Sequence, residues 1–267
     1  MLASIFTAVT LLAATASAIT IPAHVARNVS EVFKRTPGQV VTQCTVPNTV
    51  ALTFDDGPWV YLYDISKALI AADAKGTFFF NGNNYDCIYS ADQAKRVKYA
   101  YDKGHQVASH TWSHRHLPTL TWDQIHEEMW LVEDAIEKIT GAYPAMVRPP
   151  YGEYNDMVVD AARVRGQTIT TWDFERKPAN TYLSSSLDWS DSADDVKQAY
   201  TDLANRRPSN ALALNHEVYE QSAHNILPHA ISVLKAAGYK LVTLAECIGQ
   251  SPYMRVGSPK ARDVSHV

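Results

Sequence analysis

Val50-Ala51-Leu52-Thr53-Phe54-Asp55-Asp56-Gly57-Pro58 decides how this chain is read. Val50–Phe54 has the apolar, β-branched and aromatic content of a short buried strand. Gly57 and Pro58 stop it, so two adjacent aspartates sit in a turn at its carboxyl end. Neighbouring carboxylates repel when buried together, and a metal ion or a shared proton offsets that repulsion. A solvated Asp-Asp-Gly turn would carry the same tripeptide, so the rest of the chain has to choose between them.

Outward from this stretch, strand and helix alternate. A helix near Tyr61–Ala72 carries Leu62, Ile65 and Leu69 on one face and leads to a buried strand, Thr77–Phe80. A helix near Ala91–Lys103 stops at Gly104, and His105–Ser109 is the third strand. Next, Thr121 and Gln124 have capping-box spacing. Ile125, Met129, Val132, Ile136 and Ile139 form the apolar stripe that follows, and Gly141 ends it. Ala145–Arg148 is the fourth strand, Asn155–Arg165 a helix, Gln167–Trp172 the fifth strand. After a long polar stretch comes a helix capped by Ser192 and running to about Asn205. Strand Ala211–Asn215, a helix to Gly238 and strand Tyr239–Leu244 complete the pattern.

Seven strands alternating with helices specify an α/β domain with a parallel sheet covered by helices. An open sheet and a barrel fit the alternation equally, and the polar residues separate them. Asp55-Asp56 ends strand one, His110 strand three, Arg148 strand four and His216 strand six. A barrel brings the carboxyl ends of all its strands to one mouth, whereas an open sheet spreads them apart. The expected architecture is therefore a single-domain, distorted (β/α)7 barrel, irregular or incompletely closed.

His110-Thr111-Trp112-Ser113-His114 places two histidines four residues apart, a spacing that lets both face one ion. With Asp56 they make two nitrogens and one oxygen, the ligand set of a catalytic zinc that keeps positions for water. In Arg148-Pro149-Pro150-Tyr151-Gly152, two prolines stiffen the chain so that the Tyr151 amide can be aimed at a developing oxyanion. Arg148 can orient a carboxylate, with Asp55 the obvious partner. In Leu214-Asn215-His216 the histidine follows an apolar strand directly, and reads equally as a core residue or a proton donor.

Composition narrows the function classes. The chain has 24 basic and 28 acidic side chains among 267 residues, net −4. The first 35 residues hold Arg27, Lys34, Arg35 and Glu31, so the remainder carries 21 against 27, net −6. A mildly acidic surface does not suit nucleic acid, whose phosphates need clustered Lys and Arg. Residues 1–18 read as a signal peptide ending in Ala16-Ser17-Ala18, and 19–35 as a propeptide that ends at Lys34-Arg35 and carries the sequon at Asn28. The expected product is a secreted monomer, extracellular or in the cell wall, with no membrane partner. Its catalytic domain spans 36–250 and its mobile tail 251–267. Secretion favours disulfides, and Cys44 and Cys247 flank the first and last strands. A bridge between them would leave Cys87 as a small buried hydrophobe, although other pairings remain open.

These motifs, in this order, resemble the polysaccharide deacetylases of carbohydrate esterase family four, and within it the fungal chitin deacetylases. The resemblance runs from about Val40 to Cys247 and includes Asn81-Gly82-Asn83-Asn84 and Gly104–His110. It implies that Asp56, His110 and His114 hold Zn2+ or another divalent transition ion such as Co2+. Asp55 would be the general base oriented by Arg148, His216 the general acid, and the Tyr151 amide an oxyanion donor. The substrate implied is chitin or its oligomers, with an O-acetylated polysaccharide such as acetylxylan, or a carbohydrate-binding barrel without turnover, as alternatives. Trp189 and Leu214 would contact the acetyl methyl, and Trp59 the sugar face. One motif departs from the family. An aspartate that tunes the acid histidine is expected after strand five, but Ser185 stands in its place before Asp188-Trp189. Glu175 and Asp188 are the candidate carboxylates for His216.

Overall fold

The computed structural model describes residues 36–174 and 192–261. Its strands are β1 (Val40–Val41), β2 (Thr49–Asp55), β3 (Thr77–Phe80), β4 (Gln106–Ser109), β5 (Ala142–Pro144), β6 (Met146–Val147), β7 (Thr168–Thr170), β8 (Asn210–His216), β9 (Lys240–Val242) and β10 (Tyr253–Val256). The helices are α1 (Leu62–Ala71), α2 (Ala91–Asp102), α3 (Trp122–Thr140), α4 (Asp156–Val164), α5 (Ala193–Arg206), α6 (Leu227–Ala236) and α7 (Leu244–Ile248).

Seven strands follow the order β1-β7-β6-β4-β3-β2-β8, all in parallel pairs. Every residue of β2 is buried, the mark of a strand covered on both faces. β9, the expected seventh strand, does not extend the end of the series. It pairs with the first half of β2 (Thr49–Ala51), while β3 pairs with Thr53 and Phe54 farther along. Closure rests on little: Phe174, just beyond β7, makes one parallel bridge to Ala213 of β8, and Asp173 and Phe174 both donate to the Leu212 carbonyl. The sheet is thus the distorted, incompletely closed barrel expected from the polar residues at the strand ends.

Helix α3 shows how directly the sequence dictates local structure here. Thr121 accepts from the Gln124 amide and Gln124 returns the bond, so both halves of the capping box form. Ile125, Met129, Val132 and Ile136 are fully buried, and Gly141 ends the helix at φ 82°, the left-handed conformation that glycine adopts without strain. Among the described residues, no helix is long and apolar enough to cross a membrane.

Cys44 and Cys247 are bridged across 203 residues, and Cys87 remains as a buried thiol. Closing so long a loop stabilises by roughly 5 kcal/mol in the chain-entropy model. Replacing both cysteines by serine is therefore expected to lower the urea midpoint by an amount equivalent to several kcal/mol, measured against the oxidised parent.

The tail expectation is corrected for its first residues. Tyr253–Val256 forms β10 against β5 in antiparallel pairing, a second sheet that the sequence reading did not contain. Tyr253 is buried and its hydroxyl accepts from the Val107 amide, while Arg255 lies over the Tyr143 ring at 3.8 Å and bonds Glu137 at 2.6 Å. Four residues are too few to show a period, and the anchoring comes from partners more than a hundred positions away. The expected signal peptide and propeptide lie outside the described residues.

Candidate active site

The carboxyl ends of β2, β4, β6 and β8 meet at one rim, as the barrel predicts. The β2–β8 register places Asp55 directly opposite His216. His110 follows β4, and its amide donates to the Phe80 carbonyl. Arg148 follows β6 and donates its amide to the Ser109 carbonyl. Asp55, Asp56, His110, His114, Pro149, Tyr151, Leu214 and His216 line one cleft of about 370 Å³.

Arg148 sits at the centre of this arrangement, fully buried. Its Nη1 donates to Asp55 Oδ1 at 2.8 Å and to Thr53 Oγ1 at 2.7 Å, and its Nη2 to the Thr171 carbonyl at 3.1 Å. Phe79 lies beneath the guanidinium at 4.1 Å and Trp172 at 5.7 Å. Burial pulls the Arg148 pKa down, and the Asp55 charge and hydrogen bond oppose that shift. The pairing holds Asp55 in one orientation, with Oδ2 3.7 Å from His110 Nε2.

The backbone also sets the chemistry of His110. Its Nδ1 lies 2.8 Å from the Arg148 carbonyl, which can only accept. An Nδ1 proton donated to that carbonyl fixes the ring so that Nε2 faces the aspartates. His110 Nε2 is 3.5 Å and His114 Nε2 3.2 Å from Asp56 Oδ1, and the three ligand atoms lie within 4.8 Å of one another. Asp56 Oδ1 is buried without a hydrogen-bond partner. Ligand atoms around a tetrahedral zinc sit roughly 3.3 Å apart. The donor set, the spacing and the unsatisfied buried oxygen all fit a divalent ion. Burial alone would raise the Asp56 carboxyl, but its interactions with His110 and His114 outweigh that and hold it far below the usual carboxylate range.

Left-handed backbone gathers here. Asp56 (φ 72°), Thr111 (φ 68°), His114 (φ 56°) and Tyr151 (φ 61°) account for four of the seven such non-glycine residues described. Each costs on the order of 1–3 kcal/mol and persists only where surrounding contacts determine it. Asn81 supplies part of that determination: its amide donates to Gly57 O, and its Nδ2 to the carbonyls of His110 and Thr111.

Trp59 does not line the cleft. Its ring packs against Tyr85 at 5.5 Å, and it is Tyr85, with Asn84, that forms that wall. Trp172 and Tyr219 also line it and were not among the residues singled out from sequence. Trp189, Asp188 and Glu175 lie outside the described residues.

A profile of the polysaccharide deacetylase family matches residues 42–169. A chitin deacetylase of Pestalotiopsis sp is 35% identical over 215 residues, spanning 80% of this chain and 68% of that protein. This chain belongs to the polysaccharide deacetylase family. A chitin deacetylase of Colletotrichum lindemuthianum is 32% identical over 221 residues, 80% of this chain and 85% of that one. The solved chitin deacetylase of Colletotrichum lindemuthianum superposes with a TM-score of 0.70 at 29% identity, covering 81% of this chain and 94% of that one. The family expected from the motifs is the family found, and the chain is a deacetylase, a hydrolase acting on amide bonds.

One residue of this deacetylase's site escaped the sequence reading. Glu217 is fully buried beneath the turn that carries Asp56. Its Oε1 accepts from the Trp59 amide, and its Oε2 has no hydrogen-bond partner. The carboxyl lies flat against Gly57, where an added Cβ would come within 2.1 Å of Glu217 Cδ; only glycine fits. Burial pushes the Glu217 pKa well above 4.5, and the Asp56 charge adds to it against the Trp59 hydrogen bond. The native state thus holds a proton that the unfolded chain releases near pH 4.5. The stability this proton contributes is complete below that value and is lost as pH rises toward the native pKa. In chelator, denaturation midpoints of the parent are expected to fall with rising pH over that window, and Glu217→Gln to remove that component of the slope. Strand alternation hid Glu217, because His216 takes the cleft side and its neighbour the opposite one.

Proposed function

We propose that this deacetylase removes N-acetyl groups from N-acetylglucosamine residues of chitin or chitin oligomers, with a divalent transition ion held by Asp56, His110 and His114. The observation that carries the reading is the approach of those three ligand atoms within 4.8 Å, beside an Asp55 fixed by a buried arginine. The relatives named as chitin deacetylases support the substrate, and two nitrogens with one oxygen suit zinc.

A divalent ion held by Asp56, His110 and His114 would supply Lewis acidity, making water a better nucleophile near neutral pH and polarising the acyl group. The chain's residues do the rest. Asp55 accepts the proton of the attacking water, and Arg148 keeps its carboxylate aimed. The Tyr151 amide donates to the oxygen that gains charge as the carbonyl carbon becomes tetrahedral. His216, across the ladder from Asp55, donates the proton that the departing sugar amine needs, since an amide anion is a poor leaving group. Leu214 and Trp172 give the cleft an apolar wall for the acetyl methyl. The products are acetate and a glucosamine unit. We place the enzyme outside the cell, free or in the cell wall.

Acetate release from chitin oligomers and from acetylxylan tests the reading. Release from the oligomers alone is expected. Release from acetylxylan alone would reassign the substrate to O-acetyl groups, and none from either would leave a carbohydrate-binding barrel.

A further inference from the structure

Tyr151 is a bulky residue held at φ 61° and ψ 5°, in a short turn, Pro150–Gly152, at the rim. Little core packing keeps it there, for it is 46% exposed. The turn has help on its chain-following side. Gly152 is also left-handed, and its Cα lies so close to the Trp172 ring that an added Cβ would approach within 2.9 Å. Pro149 and Pro150 restrict the chain before it. The Tyr151 ring is also gripped by residues from elsewhere in the chain. The His116 imidazole stacks on it, with centroids 4.0 Å apart and planes 8° from parallel. The edge of His114 meets it at 4.8 Å and 70°. Glu153 in turn holds His116, with 2.8 Å between Oε2 and Nδ1.

The sequence marks none of this. His116 falls outside the spaced histidine pair, and Glu153 follows the proline motif as an ordinary surface acid. The fold brings them together, so that Glu153, two residues beyond Tyr151, reaches across to the loop that carries His114 and returns through His116 to the Tyr151 ring.

We propose that Glu153 and His116 form a clamp that keeps Tyr151 in its left-handed backbone, making His116 a positioning residue for the Tyr151 amide. This rests on the role given to that amide in deacetylation. A stacked ring pair shifts an equilibrium by about two- to tenfold. That offsets a substantial part of the cost of the left-handed backbone it opposes. The clamp acts through shape: a flat ring at position 116 is what the Tyr151 ring requires. Because the same tyrosine ring touches His114, the amide and one of the nitrogen ligands are held in a fixed relation.

The test compares His116→Ala, His116→Phe and Glu153→Ala with the parent, in the full chain loaded with zinc. His116→Ala is expected to lower kcat about three- to tenfold with little change in KM. His116→Phe is expected to recover most of that loss, and Glu153→Ala to fall between. Zinc affinity, measured by competition with a chromophoric chelator, is expected to stay within about twofold in all three, since His116 is no ligand. A crystal structure of His116→Ala is expected to show Tyr151 outside the left-handed region. An unchanged kcat, a loss confined to KM, His116→Phe no better than His116→Ala, or Tyr151 still near φ 61° in the alanine variant would each overturn the clamp. Should the parent itself release no acetate, the deacetylation reading fails, while the crystal structure still decides whether His116 holds Tyr151.

Discussion

Asp55→Asn is expected to lower the rate of acetate release by a factor of about 10²–10⁴, the span associated with losing a positioned general base. Asparagine matches aspartate in size and can still accept a hydrogen bond from Arg148, so the cleft keeps its shape while the proton acceptor disappears. The substitution has a second consequence. Arg148 is fully buried, and Asp55 is the carboxylate that offsets its charge. Removing one partner of a buried pair costs about 3–5 kcal/mol, because the remaining charge is left uncompensated. Asp55→Asn should therefore be both inactive and less stable, with a lower denaturation midpoint. A double variant separates the two effects. Adding Arg148→Met to Asp55→Asn removes the stranded charge, and stability should recover in part while activity stays at background. An Asp55→Asn enzyme with near-parental turnover would sink the assignment of the base.

The second large effect concerns the ion. Asp56→Asn is the informative variant, because asparagine, like aspartate, tolerates the left-handed backbone that position 56 adopts at φ 72°. The turn should survive while the negative ligand is lost. Turnover is expected to fall about a hundredfold or more, since the chemistry the ion supplies goes with it. In the parent, a chelator should abolish acetate release and added zinc restore it. A stability readout accompanies the kinetics. Ion at about a hundred times its Kd stabilises the native state by about 2.7 kcal/mol, so the melting temperature of the parent should rise on adding zinc. Asp56→Asn should show little or none of that rise. A parent whose activity and melting temperature both ignore chelator and zinc would remove the ion from the mechanism.

Much of this was readable in the chain because the strands are buried on both faces. Continuous apolar runs such as Thr77–Phe80 have one interpretation, and polar residues directly after them must lie at a rim. The capping box at Thr121 and the ends of the long helix follow from local hydrogen bonding alone. What stayed hidden depends on contacts between distant segments. β5 and β10 are three and four residues long, with nothing in their composition to announce pairing. Tyr85 and Trp172 line the cleft from loops that follow β3 and β7, while Trp59, closer in sequence to the aspartates, packs against Tyr85 instead of lining it. Glu217 gave no signal either, since a glutamate beside a histidine looks like solvent-facing charge until the space against Gly57 is seen to admit nothing larger.

The pairing of Asp55 with His216 on adjacent strands has a practical corollary for engineering. The gap between the group that would take a proton and the group that would return one is set by main-chain bonding in the scaffold, and a slip by one residue would turn one of them away from the other. Rim segments can then be exchanged between relatives to redirect which glycan is accepted, without retuning the distance over which the proton is relayed.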